Sequence, residues 1–189
     1  MKIVIMGYSG SGKSTLARKL GGIYGVEVFH FDTVHFLPDW EIRSREEKER
    51  LTRTFMDTHD GWVMDGNYSK LYYERRLKEA DLIILLLFNR FACLSRAAKR
   101  YRRYRNTTRP DMAAGCKEKL DWAFVRWILH DGRTKEARTR YRRVMESYPQ
   151  KVIVVRNQHE LDACTARFHS ENIFVSLSII LDSVHVGIR

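Results

Sequence analysis

Proline and cysteine are scarce in this chain of 189 residues, and no long apolar run occurs. With 3 Pro and 11 Gly there is little material for linkers, so the chain reads as one compact domain of about 1–168 with an extension over 169–189. Cys93, Cys116 and Cys164 are odd in number, widely spaced and outside any CxxC or Cys/His pattern, and are read as reduced bystanders. The apolar run at 82–88 falls far short of the roughly 20 residues that cross a bilayer, which argues against a membrane partner. Met1 and Lys2 lead straight into an apolar strand, without a signal peptide's apolar stretch and cleavage site, so the expected address is the cytoplasm. Repeats and low-complexity tracts are absent as well.

Charge, by contrast, is plentiful and unevenly placed. Residues 90–151 hold 18 of the 34 Lys and Arg against 6 of the 23 Asp and Glu; that segment is +12 where the whole chain is +11, leaving −1 for the rest. A basic excess confined to one segment implies that it meets an anion.

Short apolar runs alternate with longer amphipathic stretches, the pattern of a parallel sheet covered by crossover helices, and the class is α/β. Strands are expected at 3–6, 26–29, 62–64, 82–87 and 152–155. Helices are expected at 13–23, 44–59, 69–79, 90–105 and 118–147, with a break at Asp131-Gly132, and a short one from 158. In the tail, Ile173, Val175, Leu177, Ile179 and Leu181 recur at period 2 and predict a strand. An extra edge strand, a dimer contact and a loose extension all stay open for it, and with them monomer or homodimer.

Residues 7–14, Gly-Tyr-Ser-Gly-Ser-Gly-Lys-Ser, match G-x-x-x-x-G-K-[ST] directly after a strand and at the start of a helix. Gly7, Gly10 and Gly12 let backbone N–H groups turn inward around phosphates, with Ser9, Ser11 and Thr15 completing the cradle. Lys13 reaches the β- and γ-phosphates, and Ser14 offers a hydroxyl to Mg²⁺. The helix N-terminus adds the positive end of its dipole.

A triphosphate also needs carboxylates at the carboxyl ends of the strands, where the crevice of an open parallel sheet lies. Asp32 follows 28–31 and Asp65 follows 62–64, so both emerge there, whereas Asp81 precedes its strand. Asp65 is expected to partner Mg²⁺ through water, and Asp32 to hold substrate or metal. The guanine signature Asn-Lys-x-Asp is missing, which leaves a small-molecule kinase, whose transfer step needs cations and exclusion of water. Arg96, Arg100 and Arg103 recur at helical spacing, the segment 106–112 broken by Pro110 forms a lid tip, and Arg138 and Arg142 at i, i+4 approach the same anion. Trp40 and Tyr68 are available to stack on an acceptor ring, with core packing equally open for Trp40; His35 is expected at the surface.

These segments bring a resemblance with them. The phosphate loop, His30-Phe31-Asp32 with Asp39-Trp40, Trp62-Val63-Met64-Asp65-Gly66-Asn67-Tyr68, Arg109-Pro110-Asp111-Met112 and residues 152–157 resemble the bacterial DNA topology modulation proteins, which look like adenylate kinase and other small P-loop kinases. The resemblance covers about residues 1–165. It implies a P-loop three-layer sandwich with a five-stranded parallel sheet in the order 2-3-1-4-5, use of ATP and Mg²⁺, and an arginine-rich lid over 100–142. It also implies nucleotide contacts from Arg109 and Asn157. Asp65 is followed by Gly-Asn-Tyr where adenylate kinase has Gly-Phe-Pro-Arg, so AMP is not inherited as the acceptor. The expected reaction is transfer from ATP to a small acceptor between Asp32, Trp40, Asp65 and Tyr68. The alternative is a nucleic-acid-binding regulator that uses ATP as a switch, contacting its partner through 100–105 with Tyr101, Tyr104, Trp122 and Trp127.

Overall fold

The computed structural model describes residues 1–170; the expected strand over 173–181 and nearly all of the 169–189 extension lie outside the described residues. Five strands, β1 (Lys2–Gly7), β2 (Glu27–His30), β3 (Trp62–Asp65), β4 (Leu82–Leu86) and β5 (Val152–Val155), form one parallel sheet in the order β2-β3-β1-β4-β5. Strands covered on both faces read as unbroken apolar runs, and β4, Leu-Ile-Ile-Leu-Leu, is buried at all five positions.

Among the described residues eight helices cover it: α1 (Lys13–Tyr24), α2 (Phe31–His35), α3 (Arg45–Thr58), α4 (Tyr73–Glu79), α5 (Arg90–Tyr104), α6 (Trp122–Leu129), α7 (Lys135–Ser147) and α8 (Gln158–Ser170). Period-2 alternation sorts the core into two halves. Ile3, Ile5, Leu82 and Ile84 face Leu16 and Leu20 of α1, Cys93 and Ala97 of α5, and Leu161 and Phe168 of α8. Val4, Met6, Ile83 and Leu85 face Met56 of α3, Leu77 of α4, and Tyr141 and Val144 of α7. The result is the three-layer P-loop fold.

Two departures from the expected elements bear on the site. The chain leaves β2 straight into the one-turn helix α2, so Asp32 sits on a helical turn. Helix α4 begins at Tyr73 rather than 69, because residues 66–72 are held as a loop with Tyr72 in the left-handed region. Arg76 is the reason. It is fully buried, donates to the carbonyls of Tyr68 (2.5 Å) and Gly66 (3.5 Å), and lies 4.3 Å over the Phe31 ring. Burial pushes its guanidinium down to about 10, so it stays charged at neutral pH. The long basic stretch does break near Asp131-Gly132, at a 3-10 turn between α6 and α7.

Arg76→Met should lower unfolding free energy by about 1.5–3 kcal/mol, because two carbonyls lose a charged donor. Urea melts measure this, and a midpoint unchanged at equal slope would mean that the loop holds itself.

Candidate active site

The phosphate loop joins β1 to α1. Gly7 and Gly10 take φ of 145° and 80°, and a Cβ on either would run into backbone, of Leu86 and of Cys93 respectively. Only glycine meets both demands. Lys13 opens α1, and its amine donates to the Tyr8 carbonyl at 3.2 Å. Desolvation lowers the Lys13 pKa, with Asp65 and then Asp32 acting in the opposite direction. A bound phosphate would act in the same direction as these carboxylates. Tyr8 is fixed between the Arg133 guanidinium, 3.7 Å from its ring, and the edge of Tyr141.

The register of β1 and β3 sets the first carboxylate. Asp65 is the partner of Ile5, and the next amide, Gly66 N–H, donates to the Ile5 carbonyl at 3.1 Å. Asp65 is 5% exposed; its Oδ2 lies 3.0 Å from Nδ1 of His30, its register partner on β2, and its Oδ1 has no hydrogen-bond partner. Two residues on, the Asn67 side chain accepts from Gly7 N–H (3.0 Å) and donates to Gly7 C=O (2.7 Å), closing a two-bond clamp on the first loop glycine. Sequence reasoning singled out the Asp65-Gly66-Asn67-Tyr68 segment without assigning this work to Asn67. It missed the His30 contact too, although β2–β3 pairing with Asp65 at a strand end makes His30 a neighbour.

Asp32 is held from two sides: Tyr68 Oη donates to Oδ1 (2.8 Å) and Arg109 Nη2 to Oδ2 (3.2 Å). Burial first, then Asp32, raises the Tyr68 pKa, so the phenol stays protonated and donates. Arg109, 7% exposed, also faces Asp111 (3.6 Å) and Glu118 (3.5 Å). Arg100 donates through Nε and Nη2 to Glu118 Oε1, at 3.0 and 2.8 Å, and burial lowers its pKa. Arg18 of α1 pairs with Asp111. The segment after α5 therefore docks back over β2 and α2, and Cys116 adds an Sγ donor to the Leu37 carbonyl at 3.1 Å.

One cavity of about 1430 Å³ collects these groups. Ser9, Gly10, Gly12, Lys13, Ser14 and Thr15 line it with Asp32, Asp65, Tyr68, Trp40, Arg100 and Arg109. Gly7 sits behind, in the Asn67 clamp, and Ser11 is fully buried with an unpartnered Oγ. Ser9 Oγ accepts from Trp127 Nε1 of α6 at 3.1 Å. Three of the expected residues lie away from this cavity. Arg138 and Arg142 are exposed and do not line the cavity, because α7 turns Tyr141 and Val144 inward and brings Arg140 to the cavity flank instead. Asn157 also stays off the lining; its side chain accepts from Glu160 N–H (2.9 Å) and donates to Glu160 Oε1, capping α8. His35 is no surface residue: it lines the cavity, 4.9 Å from Tyr68, with Nδ1 buried and unpartnered. Trp122 and Trp127 are 77% and 49% exposed.

The residues present fit Mg²⁺. Asp65 Oδ1 is a buried carboxylate oxygen with no partner, and Ser14 lines the same cavity. Among the described residues no group of three or more His, Cys, Asp or Glu side chains forms a metal cage. Mg²⁺ asks for none, since it keeps waters and is bound through one or two protein oxygens plus phosphate. Among the described residues no helix is long and apolar enough to cross a membrane.

No protein-family model matches the chain, and no curated protein matches its sequence. Among solved structures it is similar to shikimate kinase from Acinetobacter baumannii in complex with shikimate, at TM-score 0.46 and 12% identity over 100% of this chain and 95% of that one. It is similar to TT1252 from Thermus thermophilus at TM-score 0.49 and 15% identity, over 91% of this chain and 98% of that one. Deoxyadenosine kinase from M. mycoides with bound dATP gives TM-score 0.49 and 16% identity, over 90% and 100%.

Asn67→Asp keeps the shape but replaces the donor facing Gly7 C=O with a second acceptor. Triphosphate affinity should fall by at least about tenfold, roughly 1.4 kcal/mol. Titration calorimetry giving equal affinity in both proteins would show that the loop holds its form without the clamp.

Proposed function

We propose that this chain is an ATP-dependent phosphotransferase acting on a small hydroxylated acceptor. One observation carries the reading: a phosphate loop and two strand-end carboxylates, Asp32 and Asp65, line a single cavity roofed by an arginine-bearing segment. The motif resemblance to DNA topology modulation proteins belongs to the same reading.

In this account the loop amides, Lys13 and Ser14 hold the β- and γ-phosphates of ATP. Ser14 and Asp65 would hold Mg²⁺, which when bound would supply charge withdrawal from the transferring group. Asp65 is held by His30 through one oxygen, and its unpartnered Oδ1 would be the atom that accepts from water on such a metal. The acceptor hydroxyl lies against Asp32, which Tyr68 and Arg109 orient. Its oxygen forms a bond to the γ-phosphorus while the bond from that phosphorus to the β,γ-bridging oxygen breaks, and ADP leaves. The hydroxyl proton passes to the Asp32 carboxylate and on to solvent. Tyr68 cannot take that proton, because its raised pKa keeps its own. Arg100 and Arg109 face the equatorial oxygens and exclude water, the two requirements of this transfer.

Two substitutions separate binding from chemistry. Lys13→Ala should abolish tight ATP binding without unfolding the domain; equal affinity by calorimetry would sink the assignment. Asp65→Asn should lower kcat by at least about tenfold, roughly 1.4 kcal/mol of barrier, while ATP affinity changes much less. An unchanged kcat would remove Asp65 from the mechanism.

A further inference from the structure

The cavity carries more positive charge than ATP requires, and the surplus lies at the end away from the phosphate loop. Lys13, Arg100 and Arg96, whose guanidinium abuts Gly12, serve the nucleotide end. Lys48, close enough to His35 to act on its charge, lines the wall with the exposed Lys70, and among the described residues neither side chain has an ion-pair partner. The neighbouring carboxylates are already committed: Glu47 to Arg43 at 2.7 Å, Glu49 to Arg45 at 2.7 Å, and Asp32 to Tyr68 and Arg109.

Lys48 stands in the first turn of α3, where the helix dipole disfavours a cation by about 0.3–1 kcal/mol. Its charge is felt at His35, whose pKa is lowered by burial first and by Lys48 next, with Asp32 opposing. An unpaired cation placed against a helix dipole and beside a buried imidazole becomes favourable once an anion joins it.

The same end has an apolar wall with strain built into it. Asp39 and Trp40 are consecutive non-glycine residues in the left-handed region, with φ of 58° and 66°, and such residues cost of order 1–3 kcal/mol each. Leu37 N–H to Glu41 C=O at 2.8 Å and Arg43 N–H to His35 C=O at 2.9 Å pin the segment. What the strain achieves is an indole on the cavity wall, edge-on to Phe36 at 5.1 Å and under the Lys119 ammonium at 4.4 Å. The Cys116–Leu37 and Arg109–Asp32 contacts tie the roof down over this end.

Resting on the phosphotransferase reading, we infer that the acceptor is a hydroxylated small molecule bearing an oxyanion group, a carboxylate or a phosphate monoester, received by Lys48 with Lys70 while its carbon skeleton packs on Trp40. A neutral acceptor would leave the half-buried Lys48 ammonium without a counter-charge.

Acceptors of matched skeleton decide this: a hydroxy acid against its methyl ester, and a nucleoside 5′-monophosphate against the nucleoside, each followed by acceptor-dependent ADP release. The anionic member of at least one pair should have the higher kcat/KM by about tenfold or more, and the pair that responds tells carboxylate from phosphate. Lys48→Met should raise KM for that acceptor by at least about tenfold while KM for ATP stays within about twofold, and Lys48→Arg should keep both. Neutral members used as well as anionic ones, or a Lys48→Met variant that moves both KM values together, would overturn the inference and leave the kinase reading standing. ADP release that no acceptor of either charge accelerates would overturn both.

Discussion

The site depends on the pairing of β3 against β1. That parallel register sets Asp65 beside Ile5, two residues before the phosphate loop begins at Gly7, and lets Asn67 reach the Gly7 amide and carbonyl with both ends of its side chain. A slip of one residue would turn Asp65 to the other face of the sheet. The apolar alternation of β1 and β3 prevents it, since Ile3 and Val63 fill one half of the core while Val4 and Met64 fill the other. The geometry of the candidate site is thus inherited from core packing, and Arg76 extends it by holding the loop between Asp65 and α4.

Above this rigid floor lies a charge network of another kind. Arg100, Arg109, Asp32, Asp111 and Glu118 join the roof to α2, with Arg109 and Glu118 both nearly buried. Buried ion pairs lose in desolvation much of what they gain in attraction, so such a network is a modest net stabiliser of the roof. On the proposed reading, phosphate and acceptor oxygens would offer Arg100 and Arg109 the same charge-assisted hydrogen bonds that Glu118 and Asp32 supply, so ligand and carboxylate would compete for the same guanidinium groups.

The parallel sheet was legible because it leaves two plain marks, continuous apolar strands and a glycine loop between the first strand and helix, whereas its order came only with the family resemblance. The strand-end rule likewise separated Asp32 and Asp65 from Asp81, whose carboxylate accepts from Lys2 N–H at the opposite end of the sheet. What escaped the sequence was set by partners distant along the chain. Nothing local distinguishes Arg138 or Arg142 from Arg140; their separation follows from how α7 seats Tyr141 and Val144. Asn157 follows an apolar strand as a ligand residue would, yet the Glu160 three positions later makes it a helix cap. His35 and His30 acquire their places only when α2 folds against Tyr68 and when β2 pairs with β3.

The central claim is that the phosphoryl group goes to a small hydroxylated molecule held in this cavity. Incubation of the protein with γ-labelled ATP and a mixture of hydroxylated metabolites, followed by chromatography of the labelled products, tests it most directly. The account predicts label in an acid-stable small-molecule phosphate ester. Label found only in inorganic phosphate, at a rate indifferent to the metabolites, would contradict it.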